Sequence, residues 1–428
     1  MPMQTSNLLS ELYGCIRSFV NKTKARLLRR NCLMQDINVD PVPPLALYVV
    51  WHPDFTQGDN VGNMLLDHFG SHRFRYVSGG DSLRVMFRNA AGPGSQEPLP
   101  IDWVGSGTTA VVVLLDNTLV GDPAWSQYVR DLTEQAGRTA FGTRVIPVAM
   151  EDGVLDIGLV EQALRWHDWA GPDDEKGPQL VRELTDTFIR MLRHHLAQLR
   201  HPRVDQHALD DYLTNVRVFL NHSKHGGRGE VVAGALWTWL NDNSNLAPFL
   251  DIHNIPAGAP FDLVLDHEVS RSIMLAIYTD SYSSSEWCRR EVIIAKRRHV
   301  PMLVVDCLQD TDPSSFPYLG NVPWVRMNPQ TVDRLDYVAG HLLDEVFKDY
   351  LWQCRVESFR NAFPQTTFFA RAPELISLTS ISPASSGTRR DIVYPGPPIS
   401  AHEKQLFADV SPDIHVYSLT EWLAGVKK

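Results

Sequence analysis

The sequence predicts an α/β protein: two tandem domains, each a doubly wound parallel sheet, followed by a short βαβ tail. Three observations predict it. Short apolar runs, such as Ala110–Leu115 (AVVVLL) and Ile273–Tyr278 (IMLAIY), read as strands buried on both faces, as parallel strands are. Segments with helical periodicity alternate with these runs, the pattern of a parallel sheet. The layout also occurs twice. VVVLLDNTLVGDPAWSQYV and IMLAIYTDSYSSSEWCRRE share a buried strand, an aspartate (Asp116 or Asp280), a polar loop, a tryptophan and a helix.

The bulk properties fit this class. At 428 residues the chain exceeds one ordinary domain, and its 43% hydrophobic and 21% charged residues suit globular units with their own cores. A net charge of −10 opposes nucleic-acid binding. Five scattered cysteines, with no CxxC pair, suit a reducing cytoplasm and form neither a disulfide framework nor a zinc site. No apolar run approaches the ~18 residues of a membrane span, and no signal-peptide pattern opens the chain.

Taken in order, residues 8–30 read as a helix with six basic residues and no acid from Arg17 to Arg30. This helix (unit 1–40) either packs an apolar stripe on the body or makes weak contact with an anionic membrane or a partner. The first domain, 41–205, has strands at 45–51, 74–77, 110–115 and 144–149. Helices are expected from Val61 to Phe69, from near Pro123, and from Gln179 to Arg200 between Pro178 and Pro202. The second domain, 206–355, has strands at 216–220, 248–250, 273–278 and 301–306. Its helices are expected at 231–240, 263–270, after Ser285, and at 332–352. A Ser/Thr-rich linker opens the final unit, 373–428. There, strand 391–394, helix 401–407 and strand 415–417 form either the start of a third domain or an appendage.

The candidate site centres on SSSEWCRRE. Trp287 and Glu291 lie one helical turn apart, on one face, just past a buried strand. Asn221, His222 and Ser223 lie at the end of the first strand of that domain, where ligands bind in open α/β sheets. Phe249 and Asp251 flank the next loop. Each has an ordinary alternative: Glu291 as a solvated helix acid, Phe249 as core, Asp251 as a loop cap.

Residues 215–350 resemble a Toll/interleukin-1 receptor (TIR) domain, a flavodoxin-like fold. The resemblance is carried by VFLNHS at the first strand, FLDIHNIPAG after the second and SSSEWCRRE after the strand at 273–278. It implies that Glu291 is the catalytic residue of an NAD-consuming reaction. It also implies that the Asn221–Ser223 loop, with Phe249, Asp251 and Trp287, holds the nucleotide. NAD is then the substrate, with no cofactor and no metal. The chemistry is compatible with one carboxylate, because nicotinamide leaves as a neutral group and needs no general acid. The products would be nicotinamide and ADP-ribose or a cyclic form, and the role that of a cytoplasmic immune or antiphage effector. In TIR proteins the loop at 252–260 makes subunit contacts, so self-association is expected. The alternative is a non-catalytic assembly or signalling adaptor. A third possibility is a tail that senses a nucleotide.

At the residue four past the tryptophan, the second copy has Glu291 and the first Val129, so the first reads as a degenerate TIR-like copy. Because the tryptophan recurs without the acid, Trp287 is expected to be partly architectural. The degenerate copy is expected to serve as a tethered partner completing the site, so that deleting 1–205 lowers activity. GDSL at 80–83, GGRG at 226–229, the His194–His195 pair and Cys288 carry no site in this reading.

Overall fold

The structure, a computed structural model, describes residues 42–78, 82–137, 142–159, 162–201, 212–250, 267, 269, 272–310, 316–381 and 389–426. The basic helix at 8–30, Asp251 and the loop 252–260 lie outside the described residues, as does most of 263–270.

The first sheet contains β1 (Leu45–Val50), β2 (Arg84–Arg88), β3 (Thr108–Leu115) and β4 (Thr143–Ala149), all parallel, in the order β2-β1-β3-β4. Around it lie α1 (Thr56–Phe69), α2 (Asn117–Gly121), α3 (Pro123–Gly137) and α4 (Asp173–Arg200). All eight residues of β3 are buried, as expected of a central parallel strand. A parallel bridge between Val148 and Leu164 occupies the edge beyond β4.

The second sheet contains β5 (Val216–His222), β6 (Leu246–Leu250), β7 (Ile273–Tyr278), β8 (Met302–Asp306) and β9 (Trp324–Arg326), in the parallel order β6-β5-β7-β8-β9. Its helices are α5 (Arg228–Asn243), α6 (Glu286–Arg297) and α7 (Leu335–Arg360). The first four strands of each sheet therefore follow one order, which is what the repeated layout requires.

The tail is larger than the expected βαβ segment. β10 (Thr366–Phe368) joins β11 (Arg390–Tyr394) and β12 (Ile414–Ser418) in a third parallel sheet, with α8 (Leu375–Leu378), α9 (Ala401–Val410) and α10 (Leu419–Val426). Ser400 and Glu403 form the expected capping box. The Ser/Thr-rich stretch begins inside α8, and its residues 382–388 lie outside the described residues.

Two expected elements are displaced. No strand forms at 74–77; Phe74 ends a 3₁₀ turn and is fully buried, and the strand is β2, ten residues on. β2 is a half-exposed edge strand, RVMFR, and lacks the continuous apolar run that marks a central strand. The long helix starts at Asp173, and Pro178 lies inside it. Asp173, Asp174 and Glu175 favour the N-terminal end of the helix dipole, and a proline near the start sacrifices one hydrogen bond.

Phe74 is absent from the sheet because it belongs to a core shared by the two halves. Phe69, Phe74, Phe188 and Phe347 are all fully buried. Their centroids lie 5.2 Å apart for Phe69–Phe188 and for Phe74–Phe347, and 6.1 Å for Phe188–Phe347. Beside them Asp344 of α7, 2% exposed, is bonded to His68 Nε2 at 3.0 Å and to the Arg73 guanidinium. The first lobe thus rests through α1 and α4 on α7.

α7 packs on β7 and β8 from one side, whereas α6 covers the face bearing Phe219, Ala276 and Tyr278. Within one chain, the first lobe lies across the second sheet from the helix that carries Glu291.

Candidate functional site

The site is built on α6. Ser285 caps its start by accepting from the Cys288 amide, and Lys296 and Arg297 favour its C-terminal end. The helix buries Cys288, Glu291, Val292 and Ala295, one continuous face at helical spacing. Glu291 therefore falls on the inner stripe and is 5% exposed. It is not a solvated helix acid. A carboxylate in that position requires hydrogen-bond donors.

Asn221 supplies one. It lies near the end of β5, opposite Ala276, and its Nδ2 donates to Glu291 Oε2. The Tyr282 hydroxyl in turn donates to Asn221 Oδ1. The two bonds fix each other. A carboxylate can only accept, so the amide nitrogen must face Glu291, which leaves the amide oxygen for the phenol. Tyr282 is fully buried, and burial first, then Cys288, Glu291 and Tyr278, pushes its phenol well above the usual range. It stays protonated, as a donor must. Tyr282→Phe leaves Asn221 Oδ1 buried without this donor, at an expected cost of about 1–3 kcal/mol, read as a lower urea midpoint.

The other candidates divide. Ser223 is fully buried, accepts from the His225 amide at 3.2 Å, and receives Ser281 Oγ at 3.2 Å. A Cβ on Gly229 would stand 2.4 Å from the Ser223 carbonyl oxygen, so only glycine lets the start of α5 approach it. Phe249 is partly core, its ring tilted against Phe219 at 5.3 Å with Arg217 over its ring at 4.6 Å. His222 is the last residue of β5, not part of a loop. Strand alternation points it to the face opposite Asn221, with Nδ1 3.2 Å from the Leu220 carbonyl. Trp287 is 54% exposed, with the Arg290 guanidinium 5.7 Å from its ring centroid. Its expected architectural role is not found. Asp280 ties the end of β7 to the next loop, accepting from the Gln309 amide at 3.0 Å and pairing with Arg228 at 2.7 Å.

Comparison of the two sheets shows why the tryptophans mislead. α3 buries Trp125, Tyr128, Val129 and Leu132, the same spacing as Cys288, Glu291, Val292 and Ala295. Trp125, 3% exposed, corresponds to Cys288, and Glu291 to Tyr128 rather than to Val129. By register Asn221 faces Ala276, and Val50 faces Val113, each two residues before the end of its strand. The first lobe thus carries Val50 and Tyr128 where the second carries Asn221 and Glu291. The Tyr128 hydroxyl donates to the Leu99 carbonyl, so no acid stands at that place.

Residues 218–337 match the family model described as the TIR domain, so a TIR domain is found in this chain. Among solved structures, the chain is similar to the TIR domains of the activated Roq1 resistosome that directly recognises the pathogen effector XopQ. That match has 18% identity and a TM-score of 0.20, and covers 31% of this chain and 84% of the other. It is also similar to the C-terminal domain of glucosamine-fructose-6-phosphate aminotransferase from Francisella tularensis, with 7% identity, a TM-score of 0.19, and coverage of 76% and 86%. No curated protein matches. Among the described residues, no helix is long and apolar enough to cross a membrane.

Proposed function

We propose that the second lobe hydrolyses NAD at the bond between nicotinamide and ribose, as an NAD⁺ nucleosidase, with Glu291 as the catalytic residue. One observation carries the reading. Glu291 is a buried carboxylate at the ligand-binding end of a parallel sheet, gripped by a neutral amide that is itself oriented by a neutral phenol. Such donors fix the carboxylate without cancelling its charge.

The reaction uses that charge. As the bond to nicotinamide breaks, the ribose becomes an oxocarbenium, and a preorganised anion stabilises it more than it stabilises the ground state. The carboxylate can also accept from the ribose hydroxyls. Water, or an atom of the adenine ring, then takes the ribosyl carbon, giving ADP-ribose or a cyclic product. The TIR domain and this chemistry together fit an immune effector that depletes NAD.

Incubating the full chain with NAD and measuring nicotinamide tests the reading, with Glu291→Gln as the comparison. Equal release from both proteins removes Glu291 from the mechanism. A second reading, an assembly module without catalysis, is favoured by the exposed indoles of Trp237, Trp287 and Trp324, at 41%, 54% and 45%. No nicotinamide release by a protein that self-associates would support it.

A further inference from the structure

The third lobe holds α6 at the end far from the ligand-binding edge. The helix runs from the end of β7 to the start of β8, so its first turns lie at that edge of the second sheet and its last turn at the opposite one. Its inner stripe, which carries Glu291, ends in Lys296, whose side chain is 7% exposed. The Lys296 ammonium meets both carboxylate oxygens of Glu374, each at 3.1 Å. Glu374 opens α8 in the third lobe, and its own amide donates to Ser377 Oγ at 3.3 Å. Burial lowers the Lys296 pKa, and Glu374 favours the charged ammonium against it.

Further contacts surround the pair. His299, at a φ of 57° just past the helix, lies against Phe369 with ring centroids 4.4 Å apart. Asn321 Nδ2 donates to the Ala372 carbonyl at 2.8 Å. The Arg371 guanidinium donates to the Met302 carbonyl at 3.2 Å and pairs with Glu345 at 3.5 Å. The third lobe is thereby tied to the end of α6, the start of β8 and the loop before β9.

We propose that the third lobe is a working part of the site on α6, with Glu374 and Lys296 as positioning residues that set where Glu291 stands. This rests on the assignment of Glu291 as the catalytic residue. Lys296 lies five residues beyond Glu291, about 7.5 Å along one continuous helix. A helix of 12 residues moves as a rod, so a shift or turn at its last residues is delivered to Glu291. Asn221 and Tyr282 fix the carboxylate; the ion pair fixes the helix that bears it. A misplacement of about 1 Å can cost a catalytic group about 10²-fold in rate. Against apolar residues of similar size a buried ion pair adds little stability; what it adds here is one geometry between the lobes.

Lys296→Met with Glu374→Gln, in the full chain, removes both charges together and leaves no buried ion unpaired. The double variant is expected to melt near the wild type and to release nicotinamide with kcat lowered about tenfold and KM changed less than about twofold. Its α6 amides exchange with deuterium faster than in the wild type, while those of β3 in the first lobe do not. If it fails to fold, Glu374→Asp, which keeps the charge and shortens its reach, takes its place with the same expected readouts. A folded variant with wild-type kcat overturns the proposal. So does α6 exchange equal to that of the wild type, a measurement that needs no turnover. Wild-type protein that releases no nicotinamide would instead refute the assignment of Glu291, and exchange alone then decides whether the third lobe holds α6.

Discussion

Glu291→Gln lowers the rate of nicotinamide release by about 10²–10³-fold, equivalent to roughly 3–4 kcal/mol of transition-state stabilisation. The substitution keeps the shape of the side chain and its ability to accept from Asn221 Nδ2. What it removes is the charge. The loss should therefore fall on kcat, since the developing cation exists in the transition state and only weakly in the bound substrate. The fold should tolerate it, because a neutral amide on the inner stripe of α6 is less costly to bury than a carboxylate. Steady-state nicotinamide release with a parallel thermal melt checks both halves. A variant that melts normally and retains full kcat would refute the assignment.

Asp344→Ala has the largest expected effect on stability, about 3 kcal/mol, at the lower end for breaking a buried ion pair because Arg73 remains partly in water. The substitution leaves His68 and Arg73 facing a gap beside the aromatic core. The effect depends on pH in a definite sense. Burial alone would raise the Asp344 pKa, but the hydrogen bond to His68 and the charges of His68 and Arg73 outweigh it and hold it below the usual carboxylate value. A carboxylate depressed in the folded state contributes stability above its unfolded pKa and loses it as pH falls through its folded value. The gap between wild type and Asp344→Ala should thus be full at neutral pH and shrink below about pH 4. Urea melts at the two pH values measure it. A gap independent of pH would show that Asp344 acts by packing alone.

Much of this was legible in the sequence, for reasons specific to each element. β3 and β7 are continuous apolar runs, which few other structures use. Glu291 stood out because a TIR-like motif surrounds it, and its burial follows from its place three residues after Cys288. β2 was hidden because an edge strand needs no apolar run, while Phe74 and Val77 nearby imitate one. Tyr282 escaped because its partner, Asn221, is 61 residues away, and no local period encodes that meeting. The repeated tryptophan pointed to the wrong alignment. A slip of one residue turns a helical side chain by about 100°, which moves Trp287 out of the core position that Trp125 occupies.

The four phenylalanines between the lobes also govern how the chain unfolds. Phe69, Phe74 and Phe188 lie in the first lobe's sequence and Phe347 in the second's, so this cluster is shared, although each lobe also has a buried core of its own. Linked in this way, the lobes should lose structure together, in one calorimetric transition whose van't Hoff and measured enthalpies agree. Cutting the chain near residue 205 would then yield two fragments, each with an exposed apolar face where the phenylalanines met. Loss of activity in such a fragment would report the exposed face as well as anything about catalysis.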